Sequence, residues 1–300
     1  MIPEHRSRTL YKSNTLRVID YHCRSSQSAK QPEEWCPRPE IVLPRSGVYV
    51  RHDADETVVV DPNQVLFFNG GQPYQISHPV DGGDRSTIFL LHPEVLLNML
   101  SSLDPAVDEH PDRPFKTNHL ILDTRLRILQ YWLLQSAVSS PAEPLEIEEK
   151  VLLLLGEVLR AAQDAGDGRR RITRMGTARD HAGQVERVKL LLGERYRERL
   201  HLEQVAQAAY SSSYHLCRIF KNQTGLSIHQ YLLNVRLAAS LEQLAERPGD
   251  SLAMVALDLG FASHNHFTTV FRSKIGLSPS EFRRKVRSRT IRELSNFLEV

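Results

Sequence analysis

Two stretches of the C-terminal third carry side chains able to meet the edges of nucleic-acid bases, at helical spacing. In the first, Ser213, Tyr214, Cys217, Arg218 and Lys221 share one side of a helix expected to start after Ser212. In the second, His264, Asn265, Thr268 and Arg272 share one side of a helix expected after Ser263. Hydroxyl, imidazole and amide groups donate or accept hydrogen bonds, a threonine methyl meets the thymine methyl, and guanidinium or ammonium groups meet phosphates. The opposite sides carry Leu216 and Phe220, and Phe267 and Phe271, each pair four apart and therefore on one core-facing stripe. An ordinary solvated face on an α-bundle has a similar composition. Duplication and charge tip the balance toward nucleic acid.

The elements around these faces repeat. Phe220, Lys221, Gly225, Leu226, Ser227 and Tyr231 return 51 positions later as Phe271, Arg272, Gly276, Leu277, Ser278 and Phe282. The preceding helix aligns at an offset of 50, Ala206 with Ala256, so the second turn is one residue longer. Each copy reads as helix, short turn, helix. Helix 202–209 leads to a Ser212-capped helix ending at Asn222; Ser251 caps 252–259, Gly260 stops it, and Ser263 caps 264–275. That is the helix-turn-helix, whose second helix enters the major groove. Charge supports it: residues 1–165 have 16 Lys+Arg against 23 Asp+Glu, and residues 166–300 have 22 against 13, net −7 and +9.

The motifs Gly260-Phe261-Ala262-Ser263, Phe267, Phe271-Arg272, Gly276-Leu277-Ser278-Pro279 and Phe282-Arg283 resemble the C-terminal signature of AraC/XylS-type transcriptional regulators. Leu216, Arg218, Phe220-Lys221, Gly225, Ser227, Tyr231 and Arg236-Leu237 are similar to that family's first helix-turn-helix. The resemblance covers about 184–285. It implies a seven-helix module with two recognition helices in successive major grooves, joined by a long helix over 227–246. Cys217 departs from the longer polar side chain often found there, and Thr269 from an arginine. In the N-terminal half, Arg45-Ser46-Gly47, Arg51-His52, Val65 to Asn69 and Ser77-His78-Pro79 with Gly82-Gly83-Asp84 resemble the cupin-like sensor domain of such regulators. The family implies a small-molecule effector, a homodimer, double-stranded DNA and RNA polymerase as partners, and activation as the commoner mode.

Between 40 and 91, short Val-, Phe-, Tyr- and Ile-rich runs at 47–52, 57–60, 65–68, 74–78 and 87–91 alternate with Asp-, Asn-, Pro- and Gly-rich turns, as in an all-β sandwich or barrel. Helices are expected at 94–103, 120–136 and 147–162. The run Val151 to Leu155 is apolar around the whole helix, so it faces either the interior throughout or a second subunit on one side. Residues 164–183, with four glycines and five arginines, read as a linker. The expected fold class is α+β with two domains. An N-terminal cupin-like β-barrel with flanking helices (1–163) is joined by the linker (164–183) to an all-α double helix-turn-helix (184–287) and a tail (288–300).

Alternation places His52 and His78 at the ends of apolar strand faces, as candidate lining of a ligand pocket. No H-x-H or H-x-x-x-H pair accompanies them, and Cys23 and Cys36 lack a ligand spacing, so neither a metal nor another cofactor is expected. Without a nucleophile elbow, phosphate loop or HExxH motif, an enzyme is not expected either. The 300 residues are 41% hydrophobic and 25% charged, with mean hydropathy −0.36. The longest apolar run is five residues, against the ~18 of a membrane span. Three scattered cysteines and a polar N-terminus without an apolar core segment fit a cytoplasmic protein rather than a secreted one, and the family resemblance implies a bacterial one.

Overall fold

The computed structural model describes residues 5–54, 56–139, 144–168 and 175–288. The N-terminal part holds ten described strands, the last of them after the first helix: β1 (His5–Lys12), β2 (Leu16–Cys23), β3 (Glu34–Trp35), β4 (Glu40–Gly47), β5 (Tyr49–His52), β6 (Thr57–Val60), β7 (Gln64–Phe68), β8 (Pro73–Ser77), β9 (Asp84–Leu91) and β10 (His119–Ile121). They form two antiparallel sheets, one ordered β1-β2-β9-β4-β7-β10 and one ordered β3-β8-β5-β6. Neither sheet closes on itself among the described residues, so the expected barrel takes the form of two open layers.

Helices α1 (Pro93–Ser101), α2 (Thr124–Ser139) and α3 (Pro144–Gly168) contribute to the core on one side of the larger sheet. The central strands are therefore buried on both faces. Ile41, Leu43, Val65 and Phe67 point toward the helices, while Val42, Leu66 and Phe68 point toward Tyr49, Val58 and Val60 of the smaller sheet. This double burial is why β7 reads as an unbroken apolar run rather than an alternating one.

Seven helices follow among the described residues: α4 (Met175–Arg195), α5 (Leu202–Ala208), α6 (Ser213–Thr224), α7 (Ile228–Glu246), α8 (Leu252–Asp258), α9 (His264–Ile275) and α10 (Pro279–Ser288). Helix α7 is the hub, with 12 of its 19 residues buried. One side serves the two helix-turn-helix units and another meets the sheets. Gly193 of α4 marks how close the approach is: a Cβ there would lie 2.2 Å from Val48 Cγ2.

Several elements differ from expectation. The hairpin β1–β2 carries little apolar patterning on its outer strand, and long-range pairing of β2 with β9 holds it in the sheet. The helix expected from 120 starts at Thr124, because Leu120 and Ile121 extend the sheet against Val65 and Gln64 and Asp123 then accepts the backbone N–H of Arg125. The stretch expected as a linker is helical at both ends, in α3 and α4, and residues 169–174 lie outside the described residues. In α3 the interior claims Val151, Leu154 and Leu155, whereas Leu153 is exposed. Most of the expected tail, 289–300, also lies outside the described residues.

Candidate nucleic-acid interface

Local chemistry starts and stops both second helices in the same way. Ser212 accepts the backbone N–H of His215 at 3.3 Å, and Ser263 accepts that of His266 at 3.1 Å. Such side-chain caps stabilise a helix start by about 1 kcal/mol. At the other end Gly225 and Gly276 take left-handed backbone (φ 71° and 79°), and each donates its N–H to the first carbonyl of the closing turn, of Lys221 or Arg272. Both helices are 12 residues long. The helices before them, α5 and α8, are also equal at seven residues. Ser251 occupies the N-cap of α8 but makes no side-chain capping bond, so it fulfils only the positional part of the expectation.

The turns carry the one-residue difference. In the first, Tyr210 holds a left-handed conformation (φ 52°); in the second, Gly260 holds it (φ 78°). Only glycine fits there, since a Cβ would lie 2.5 Å from the Arg197 carbonyl oxygen. Arg236 of α7 secures that region by donating to the Tyr196 and Glu198 carbonyls at 2.6 and 2.8 Å.

The core sides are occupied as expected: Leu216, Phe220, Phe267 and Phe271 are fully buried. On the other side of α6, Tyr214 is 81% exposed, Cys217, Arg218 and Lys221 are exposed, and Ser213 is half-buried. On α9, His264, Asn265 and Arg272 are exposed and Thr268 is half-buried, its hydroxyl 3.5 Å from His264 Nε2. Tyr210, also exposed, adds an aromatic face beside the guanidinium of Arg187. The spacing of the polar faces on α6 and α9 is held by α7, whose Ser227–Gln230 capping box fixes its start.

The two histidines suggested as pocket lining part company. His52 is half-buried, its Nε2 2.9 Å from the Ser77 hydroxyl. His78 is buried, with Nε2 3.0 Å from Asp84. Burial opposes its charged form, but the hydrogen bond to Asp84 and the nearness of Cys23 outweigh burial and push its pKa up to about 9. Cys23, His78 and Asp84 bring their ligating atoms within 4.8 Å of one another, a grouping of metal-ligand types that sequence spacing did not reveal. Cys36 stands apart from it, in contact with the Tyr74 hydroxyl at 3.7 Å. Neither His52 nor His78 lines the cleft of about 800 Å3 between the sheets and the helical unit; Val48, Asp84, Arg85, Tyr196 and Glu242 are among the residues that do.

Ion pairs cross beside that cleft. Arg45 pairs with Asp20 and Glu242, and Arg85 with Glu242 and Glu246. Farther along α7, Tyr231 donates to buried Asp61 at 2.7 Å, and Arg127 donates to the Asn234 carbonyl at 3.2 Å. Burial raises the Asp61 carboxyl, against the lowering influence of Tyr231 and the Asn63 N–H; burial lowers Arg127 to about 10.

Two capped, equal second helices on one central helix define a helix-turn-helix protein. Residues 205–285 match a family described as a helix-turn-helix domain. The Msm operon regulatory protein of Streptococcus mutans is 33% identical over 104 residues, which cover 35% of this chain and 37% of that protein. The chain thus spans little more than a third of that relative. The transcriptional activator RhaS of Salmonella schwarzengrund is 25% identical over 274 residues, covering 85% of this chain and 93% of RhaS. Among solved structures, ToxT of Vibrio cholerae aligns over 91% of this chain and 98% of its own, at 12% identity and a TM-score of 0.39. Over residues 205–285 the chain thus carries a helix-turn-helix domain similar to that of transcriptional regulators, as its motifs imply.

Proposed function

We propose that this protein regulates transcription by binding DNA sequence-specifically, with α6 and α9 in successive major grooves. The observation that carries this reading is the pair of equal helices, both capped by serine and closed by glycine, with polar faces free on one rigid support. Tyr214, Arg218, His264 and Asn265 read base edges, with Ser213, Cys217 and Thr268 beside them. Lys221 and Arg272 hold phosphates and make affinity depend on salt. The chain divides into a sensor (1–163), a linker (164–183), a DNA-binding unit (184–287) and a tail (288–300).

The N-terminal unit is a cupin-like sensor for a small effector, with no enzymatic role. The cleft beside α7 has a volume typical of small-molecule sites. An effector that binds one arrangement of the two units better than another shifts the population toward it. Homodimerisation through the exposed side of α3 around Leu153, and contact with RNA polymerase during activation, complete the proposal.

The test is a footprint on the DNA flanking the protein's own gene, at two salt concentrations and with competitor DNA. Protection of two adjacent major grooves on one face of the duplex is the expected result. Binding that is blind to sequence and vanishes with salt on every fragment, including one selected from random DNA, overturns the reading.

A further inference from the structure

Cys23 and Asp84 are direct cross-strand partners at the ends of β2 and β9. A glycine makes that junction possible: at Gly83 (φ 67°) a Cβ would lie 2.1 Å from the Cys23 carbonyl oxygen. His78 follows β8, and its backbone N–H is fixed to the Gln27 carbonyl at 2.7 Å. Three chain segments therefore deliver a thiol, an imidazole and a carboxylate to one buried point.

Two details distinguish this point from an ordinary buried His–Asp pair. His78 is only 3% exposed, yet its Nδ1 has no hydrogen-bond partner among the described residues. A buried polar atom left so is costly and calls for a partner. In addition, Asp84 already holds Nε2, which is the way an outer carboxylate orients a histidine whose other nitrogen binds a metal. Cys23 is a free thiol, and its sulfur accepts the Ser25 N–H at 3.4 Å.

We propose that Cys23, His78 and Asp84 form a binding site for a divalent transition-metal ion of the zinc class. Thiolate, imidazole and carboxylate together suit a borderline-soft ion and disfavour calcium or magnesium, which take all-oxygen shells. Asp84 either binds the ion directly or holds the imidazole for it. Binding releases the thiol proton and one ring proton of the charged His78 to solvent, and no electron transfer is involved. The coordination positions these residues leave are open to water or to an effector donor, because Asp84 also lines the cleft.

The site also has a place in control of the helical unit. Arg85, the next residue after Asp84, pairs with Glu242 and Glu246 of α7. An ion that draws the start of β9 toward Cys23 acts on the strand segment that holds α7. This second step rests on the DNA-binding function proposed above; metal binding itself does not.

The test loads full-length, metal-free protein with Co2+ and follows thiolate-to-cobalt charge transfer. One equivalent is expected to give the band; Cys23→Ser abolishes it, Cys36→Ser and Cys217→Ser keep it, and His78→Gln weakens affinity at least about tenfold. A band that survives Cys23→Ser, or no band at stoichiometric metal, overturns the site. X-ray absorption of the zinc-loaded wild type needs no variant to fold: one sulfur at about 2.3 Å with nitrogen or oxygen at about 2.0 Å is expected, and a sulfur-free shell overturns the proposal. Repeating the footprint with and without zinc then reads the coupling alone, leaving the binding result unaffected.

Discussion

The two helix-turn-helix copies have the same local build and different attachments. The first packs in its own core, where Val185, Val188, Leu192, Leu216, Phe220 and Tyr231 meet. The second shares a continuous core with the N-terminal unit: Phe282 lies 5.3 Å, ring to ring, from both Tyr131 and Trp132 of α2, and Phe271 packs on Phe282 in turn. The first copy meets the sheets through a smaller apolar contact, Leu190 of α4 on Val48, Val50 and Val59, and through polar groups, Tyr231 on Asp61 and Glu186 on the Val59 N–H at 2.6 Å. Apolar packing is dense and indifferent to pH, whereas a buried polar tie depends on every partner being present. The second copy thus shares the core of the N-terminal unit, and the first adds to its smaller apolar contact polar ties that chemistry can switch.

The largest effect should come from cutting the shared core. Phe282→Ala is expected to cost about 3–5 kcal/mol and to loosen α2 together with α9. Phe220→Ala should cost a similar amount but leave the sheets protected. Hydrogen exchange measured segment by segment decides between these patterns, and equal loss of sheet protection in both variants would erase the contrast.

On DNA, Arg218→Ala should weaken binding by about 1–3 kcal/mol and relax preference at one groove, with Asn265→Ala doing the same at the other. Selection from a randomised operator reads this out. Uniform weakening on all sequences would make Arg218 a phosphate contact.

Tyr231→Phe leaves Asp61 without its 2.7 Å donor and should destabilise the protein by about 1–2 kcal/mol, mainly in the segments around α6 and α7. Urea titration with exchange mapping checks both size and place.

The carboxyl of Asp61 is raised, so its folded pKa lies above the unfolded one. At neutral pH the buried carboxylate costs stability; the cost is relieved as pH falls through the raised pKa and is gone below about 3.8. Relative to Asp61→Asn, the wild type should therefore gain stability on acidification from pH 7. Parallel thermal melts at several pH values would show it, and a constant difference would remove Asp61 from the pH response.

The smallest effect belongs to the turns. Tyr210→Gly should relieve left-handed strain and change stability by no more than about 1 kcal/mol, making the first turn resemble the second. Calorimetry suffices to measure it.

The helix-turn-helix copies were legible because their determinants are local. Caps at Ser212 and Ser263, stops at Gly225 and Gly276, and apolar pairs four apart act within a few residues and appear twice. Helix α7 was legible as a long helix, but its length gave no hint that the sheets would bury it. The N-terminal strands were partly legible: 57–60 agrees with β6 to the residue, while β1 and β2 passed unnoticed for want of apolar alternation.

By itself, then, the sequence determined the duplicated unit, its polar faces, the charge contrast between halves and the β character of the N-terminal part, all consequences of short-range periodicity and turn chemistry. Tertiary structure alone decided that β2 pairs with β9, bringing Cys23 to Asp84 and His78, and that α7 lies against Asp61, Arg127 and the Arg45–Glu242 pair. Such contacts join residues distant along the chain, and their register depends on how whole faces bury one another. No local pattern records that choice.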